Sequence, residues 1–169
     1  MSENERIKGI GGFLILVGLG LVFFPFRQGL EIIPTYYKLI TDGSFTYLTT
    51  PGTEAYNELW LPLFLFEMGY NALMILVSFG LIYLFFKKHY LFPKSYIAFA
   101  LVPIVLIPLD AYMVTLVAKN ETTFSVETNI ELIRSIITAA IWVPYMIFSK
   151  RVKATFVEGK DDSPSLGTV

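Results

Sequence analysis

Five polar or charged side chains interrupt long apolar stretches of this sequence: Arg27, Glu67, Asn71, Asp110 and Arg134. Glu67 and Asn71 are four residues apart, which places them on one face of a helix. Charges in a hydrocarbon environment are costly, so they usually face the interior of a helix bundle, where they pair or act. Two carboxylates, an amide and two guanidiniums in one layer could bind a ligand, carry a proton or hold an ion.

The same residues also have a purely structural interpretation. Arg27 could extend its charge to the outer membrane surface. Arg134 could pair with Glu131 on its own helix, or neutralise Asp110 or Glu67 so that the bundle can pack. Because the layer lies at a shallow depth, structural pairing is favoured over a ligand, proton or ion role.

Basic residues near the C-terminus form a second candidate group, Lys150, Arg151 and Lys153. They could contact anionic lipid headgroups. A positive flank is nevertheless ordinary beside a membrane span, so an anchoring role is the simpler interpretation.

No residue pattern predicts catalysis, a metal centre or a cofactor. The chain has no Cys, which excludes disulfides, Cys-based metal sites and thiol enzymes, and its one His, His89, cannot assemble a metal site or a triad. Gly9-Ile10-Gly11-Gly12 resembles a phosphate-binding loop only in composition, since no strand precedes it. Close helix packing by small residues explains these glycines better, together with Gly18 and Gly20.

The elements that position these residues follow from composition. The 169 residues are 54% hydrophobic and only 16% charged, with a mean hydropathy of +0.60, whereas about a quarter of a soluble domain is charged. Four apolar blocks, at about 10–26, 60–86, 96–118 and 130–149, are long enough to cross a hydrocarbon core that needs about 20 helical residues. We therefore predict an all-α, polytopic membrane protein, an antiparallel bundle of four transmembrane helices.

The four spans would form one transmembrane domain over residues 1–157, followed by a disordered cytoplasmic tail at 158–169. At about 1.5 Å per residue, the five polar side chains lie roughly 21–28 Å from the cytoplasmic ends of their spans. They would therefore share one layer near the outer leaflet.

Basic residues predict the orientation of the bundle. Nine Lys and Arg side chains flank one side and four the other, and the side richer in Lys and Arg is normally cytoplasmic. Both termini are therefore predicted to be cytoplasmic. The nine are Arg6, Lys8, Lys87, Lys88, Lys94, Lys150, Arg151, Lys153 and Lys160, and the four are Arg27, Lys38, Lys119 and Arg134.

The largest extramembrane region is predicted as an external loop at about 27–59. Its first part could instead extend the first helix or lie along the interface, and residues 45–50 have weak strand character. An interfacial spacer is favoured over a binding lid. Further along, Pro93 suits the first turn of the third span, whereas Pro103, Pro108 and Pro144 are placed to kink their helices.

Several motifs resemble one known family. They are Gly9-Ile10-Gly11-Gly12-Phe13-Leu14, Phe92-Pro93, Arg134, Ile141-Trp142-Val143-Pro144-Tyr145 and Ser149-Lys150-Arg151-Val152-Lys153-Ala154-Thr155-Phe156. Together they are similar to the bacterial membrane family catalogued as "domain of unknown function 2569", in which a Trp often stands where this chain has Phe13. The resemblance implies a four-helix protein of the bacterial inner membrane and implies no reaction.

Three classes of function remain from the sequence, and an intramembrane enzyme is the least favoured of them. The favoured one is a non-enzymatic structural or accessory subunit that packs with a second copy of itself or with a larger membrane complex. The alternative is a transporter or sensor for a small solute, a proton or a lipid, which would use the polar layer. Membrane lipids are expected partners in both cases, and a net charge of -1 gives no reason to expect nucleic acid.

Overall fold

The structure, a computed structural model, describes residues 8–118 and 125–157. Those residues form helices and contain no strand, which confirms the predicted all-α class. The helices are α1 (Phe13–Thr41), α2 (Ser44–Thr49), α3 (Trp60–Phe86), α4 (Phe92–Val117), α5 (Val126–Phe148) and α6 (Lys150–Thr155). The predicted disordered tail lies outside the described residues.

The helices α1, α3, α4 and α5 are long and apolar enough to cross a membrane. Their outward faces carry large apolar side chains, and Leu30, Leu76 and Val105 are each at least 67% exposed. A soluble protein rarely exposes so continuous an apolar surface. In a bilayer the same side chains contact lipid, so the chain is a multi-pass membrane protein.

The first long helix extends well beyond the predicted span. It continues through Pro25 and Pro34 to Thr41, because helices in a membrane tolerate proline when neighbours satisfy the freed backbone groups. The region predicted as an external loop at 27–59 is therefore helical in its first half. The strand character assigned to residues 45–50 was wrong, since this segment forms α2.

The turn between α1 and α2 is built by Asp42 and Gly43. Gly43 has a φ of 81°, a left-handed conformation that glycine adopts without strain. The Asp42 Oδ1 atom accepts a hydrogen bond of 2.9 Å from the Ser44 amide. Hydrogen bonds from Ser44 hold the pKa of the exposed Asp42 carboxyl below its usual value.

A short turn reverses the chain between α3 and α4. Lys88 has a φ of 52°, and His89 Nδ1 accepts a hydrogen bond of 3.2 Å from the Leu91 amide. Pro93 lies in the first turn of α4, as predicted. His89 thus has a structural role in this turn, which keeps α3 and α4 antiparallel neighbours.

One end of the bundle is closed by a dense apolar core. Its buried members come from four long helices and the C-terminal segment, and three rings meet at the centre: Phe85 and Phe92 with centroids 5.1 Å apart, and Phe92 and Phe156 with centroids 4.6 Å apart. The cluster comprises Leu14, Val17, Leu21, Leu81, Phe85, Phe92, Tyr96, Met146, Val152 and Phe156. This core fixes the spacing of the helices at that end.

Two glycines of α1 have different roles. A β-carbon at Gly18 would lie 2.8 Å from Cε1 of Phe85, so only a glycine allows this contact. The prediction of close packing by small residues is therefore confirmed at Gly18. A β-carbon at Gly20 would have no atom within 4 Å, since Gly20 faces open space.

The two ends of the described chain meet at the closed end. The Gly9 amide donates a hydrogen bond of 3.0 Å to Thr155 Oγ1, and the same hydroxyl donates one of 3.1 Å to the Gly9 carbonyl. Thr155 is completely buried. This pair of hydrogen bonds places the segments before α1 and after α5 on the same side of the bundle.

Thr155→Val should lower the free energy of unfolding by about 1–3 kcal/mol, because it leaves the polar groups of Gly9 without their partner at nearly constant side-chain volume. Chemical denaturation in detergent micelles, followed by circular dichroism, measures the change. Thr41→Val is the control, since its hydroxyl bonds the Tyr37 carbonyl on an exposed turn and its loss should cost less than about 0.5 kcal/mol. Equal effects at both positions would contradict this role of Thr155.

The long helices pack in a sequence that leaves one side open. α1 packs against α3, α3 against α4, and α4 most extensively against α5. α1 and α5 make no comparable contact, although they approach at the closed end, where the rings of Phe13 and Tyr145 are 6.1 Å apart. Away from that end, a crevice separates α1 from α4 and α5.

Candidate functional site

The crevice between α1 and α5 has two connected halves. The half nearer the closed end, which we call the apolar half, has a volume of 440 Å³. The opposite end of the bundle is called the open end. The half of the crevice nearer to it, which we call the polar half, has a volume of 370 Å³. Phe24, Arg27, Met74, Pro103, Arg134 and Ser135 line both halves and mark the level where they join.

The walls of the apolar half are mainly aliphatic and aromatic. α1 supplies Leu16, Gly20 and Phe23, α4 supplies Phe99, and α5 supplies Trp142. At the junction the ring of Phe24 meets that of Phe99 with centroids 5.0 Å apart, which is a contact between α1 and α4 across the base of the crevice. Such a cavity favours an apolar ligand or part of one.

The polar half contains four of the five residues singled out in the sequence. Arg27, Glu67, Asn71 and Arg134 all line it. Asp110 lies one helical turn beyond Ile107, which lines the same half, and it interacts electrostatically with Glu67 and with Glu131. The structure thus gathers the predicted polar layer around one cavity.

Asn71 is held by hydrogen bonds on both sides. Its Oδ1 atom accepts one of 3.0 Å from Gln28 Nε2 on α1, and its Nδ2 atom donates one of 2.9 Å to the Glu67 carbonyl. A longer contact of 3.5 Å joins Asn71 Nδ2 to the Tyr36 hydroxyl. These bonds tie α1 to α3 and form the back wall of the polar half.

The charged groups are not paired as the sequence suggested. Arg27 forms an ion pair with Glu31 on its own helix, with Nε and Oε1 3.6 Å apart and both side chains half exposed. Among the residues that the structure describes, Arg134 forms no ion pair with Glu131, Asp110 or Glu67. Arg134 is an exposed residue of α5 that lines the crevice.

Asp110 has a buried side-chain oxygen, Oδ1, that lacks a hydrogen-bond partner among the residues that the structure describes. The groups that interact with it electrostatically are the carboxylates of Glu67 and Glu131 and the hydroxyls of Tyr36 and Tyr70. A buried acceptor in this position is costly, so the site favours a ligand that brings a donor or a positive charge.

Sequence reasoning missed several members of the site, namely Gln28, Glu31, Tyr36, Tyr70 and Ser135. Three of them follow Pro25 and Phe26, where the first span was predicted to end. The spacing of Phe24, Gln28, Glu31 and Thr35 matches one face of a continuing helix and was the signal that could have identified them.

The basic residues after α5 lie at the opposite end of the bundle. The Arg151 guanidinium packs against the N-terminal turn, 2.7 Å from where a β-carbon of Gly11 would lie. Lys150 and Lys153 are exposed. Lipid contact by Lys150, Arg151 and Lys153 stays a prediction, and Arg151 also has this structural contact.

The described residues contain no group of three or more His, Cys, Asp and Glu side chains placed to hold a metal ion. A family model described as "Protein of unknown function (DUF2569)" matches residues 7–157. No curated protein and no solved structure matches the chain.

Proposed function

Because this chain belongs to the DUF2569 family, whose description assigns no function, we propose one from the geometry: it is a non-enzymatic membrane protein that binds a small ligand in the crevice between α1 and α5. This proposal takes up the transporter or sensor alternative from the sequence. It departs from the accessory-subunit interpretation, in which the polar layer only specifies packing. Residence in a bacterial inner membrane with cytoplasmic termini is part of the proposal.

The unpartnered Oδ1 atom of Asp110 is the observation that carries this proposal. If the polar layer served only packing, its carboxylates and guanidiniums would be expected to neutralise each other, since a buried unpaired charge is strongly unfavourable. Instead Arg134 lines the crevice and forms no ion pair within the described ranges, and the Oδ1 atom of Asp110, beside the crevice, has no hydrogen-bond partner there. Unsatisfied groups around an open cavity are typical of a binding site.

Filling the apolar half should remove the ligand without unfolding the bundle. Gly20→Leu replaces a helical glycine that lines the apolar half, at a position where a β-carbon would have no atom within 4 Å. We expect native mass spectrometry of protein released gently from membranes to show a discrete small-molecule adduct on the wild type. The ratio of adduct to free protein should fall at least about tenfold in Gly20→Leu, which corresponds to a loss of about 1.4 kcal/mol in binding.

Gly80→Leu is the matched control. Gly80 is a helical glycine on α3 with no atom within 4 Å of its β-carbon position, and it lines neither half of the crevice. This variant should retain the adduct. A wild-type protein without any adduct, or equal losses in both variants, would contradict ligand binding in the crevice.

A further inference from the structure

The charges of the crevice are ordered along the bundle axis. On α5, Trp142 lies in the apolar half, Arg134 lies about 12 Å nearer the open end, and Glu131 lies about 5 Å beyond Arg134. On α1 and α3 the carboxylate likewise lies nearer the open end than the neighbouring polar side chain. α1 runs from the closed end to the open end, so Glu31 lies nearer the open end than Arg27. On α3, Glu67 lies about 6 Å nearer the open end than Asn71.

The crevice therefore presents three levels, which are an apolar level, then guanidiniums, then carboxylates. A phospholipid with an ammonium headgroup has the same order, which is alkyl chain, then phosphate, then ammonium. We infer that the crevice binds a zwitterionic phospholipid whose headgroup ends in a primary ammonium, of the phosphatidylethanolamine type. This inference rests on the proposed function and names the class of its ligand.

The guanidinium level is suited to a phosphate diester. Arg27 and Arg134 line both halves of the crevice from opposite walls. Arg134 has no ion-pair partner in the described part of the chain, and Arg27 has only an exposed contact of 3.6 Å with Glu31. Arg side chains bind phosphate oxygens through paired, charge-assisted hydrogen bonds, so both are available for this contact.

The carboxylate level is suited to an ammonium group. Glu67 and Glu131 line the polar half and Asp110 lies beside it, and none of the three forms an ion pair within residues 8–118 and 125–157. Asp110 interacts electrostatically with both of the others, and like charges repel. A primary ammonium has three donors and one positive charge, so it would bind the carboxylates of Glu67 and Glu131 and reduce this repulsion.

The apolar level favours a lipid over a water-soluble phosphate ester as the ligand. Beyond the guanidinium level its 440 Å³ is walled mainly by apolar side chains such as Leu16, Phe23 and Phe99, which suit an alkyl chain. Because α1 and α5 do not close over the crevice, acyl chains can extend sideways into the bilayer while the headgroup stays inside.

Headgroup chemistry also separates related lipids. Phosphatidylglycerol has a phosphate but no cation, so it would leave the carboxylates unpaired. Phosphatidylcholine has a cation whose methyl groups block hydrogen bonding, so it would leave the carboxylates of Glu67 and Glu131 without a hydrogen-bond donor. The expected order of affinity places the primary ammonium lipid first.

Trp142 provides a direct probe of occupancy. The chain has two Trp residues, so a Trp60→Phe background leaves only Trp142, in the apolar half. Trp142 lies about 12 Å below Arg134, within the roughly 15 Å half-thickness of the hydrocarbon core. Lipids brominated at mid-chain should therefore quench its fluorescence when their phosphate is at the Arg134 level.

The experiment reconstitutes Trp60→Phe protein into vesicles of one unlabelled host lipid with increasing fractions of brominated phosphatidylethanolamine, phosphatidylglycerol or phosphatidylcholine. Both leaflets contain the probe, so the result does not depend on orientation. We expect the relative association constant of phosphatidylethanolamine to exceed that of the other two by roughly tenfold, the effect of one additional charge-assisted hydrogen bond. Addition of Gly20→Leu should abolish this preference.

Charge variants test the two levels separately. Glu67→Gln combined with Glu131→Gln should remove the preference for phosphatidylethanolamine over phosphatidylglycerol, whereas Arg134→Gln should weaken the association of both. Glu127→Gln is the control, because Glu127 is an exposed carboxylate in the first turn of the same helix and lines neither half. It should leave all three association constants unchanged.

Two results would overturn the inference. Equal quenching by the three lipids would exclude headgroup selection, and the proposed function would survive if Gly20→Leu still lost its adduct in mass spectrometry. Displacement of the brominated lipid by water-soluble phosphoethanolamine would show that the free headgroup is the ligand and that the acyl chain contributes nothing.

Discussion

Phe85→Ala is expected to lower the free energy of unfolding by about 3–5 kcal/mol, the largest loss among the substitutions considered. Phe85 is only 1% exposed, and its ring contacts those of Phe92 and Phe156 and the backbone of Gly18. Truncation would leave a cavity where α1, α3, α4 and the C-terminal segment meet. Lipid cannot fill a cavity enclosed on all sides, so the packing energy is lost.

Phe86→Ala is the matched control for this experiment. The neighbouring ring is 59% exposed on the lipid-facing surface, so its removal should cost less than about 1 kcal/mol. Denaturation of both variants in the same detergent gives the comparison. Similar losses would contradict a closed end that depends on enclosed packing.

Asp110→Asn should raise the free energy of unfolding by about 1–2 kcal/mol, an effect of the opposite sign. The substitution removes a charge that lies near Glu67 and Glu131 and has no partner in the described part of the chain. The new Asn side chain also has an NH2 group that can donate hydrogen bonds to those carboxylates. Thermal unfolding in detergent without added lipid measures the gain.

The same variant should bind the ammonium lipid less tightly, so stability and binding would change in opposite directions. Sites that bind charged ligands often reduce stability in this way. Glu131→Gln provides the comparison, because Glu131 is exposed and its neutralisation should stabilise the bundle less. A loss of stability in Asp110→Asn would contradict the assignment of Asp110 as an unpartnered carboxylate.

Much of the fold could be predicted because the bilayer restricts the choices. Four apolar blocks of sufficient length leave helices as the reasonable spanning structure, and their described bounds start or end within a few residues of the predicted spans at most boundaries. The predicted end of the first span at residue 26 was wrong. Pro25 and Arg27 suggested that the helix ends there, but α1 continues to Thr41. Helix propensities measured in water overestimate the tendency of proline to end a transmembrane helix.

The composition of the site was predicted better than its pairing. The depth argument brought Arg27, Glu67, Asn71 and Arg134 to one level, and the structure has all four around one cavity. The sequence could not show that Arg27 pairs with Glu31, or that Gln28 donates a hydrogen bond to the side-chain oxygen of Asn71. Those contacts depend on the rotation of α1 about its axis, which its packing against the neighbouring helices determines.

The hydrogen bonds between Gly9 and Thr155 join residues 146 positions apart. During translation the first helix leaves the ribosome long before its partner at Thr155 has been synthesised. The closed end can therefore form only after the segment that follows α5 has been synthesised and has reached the start of α1.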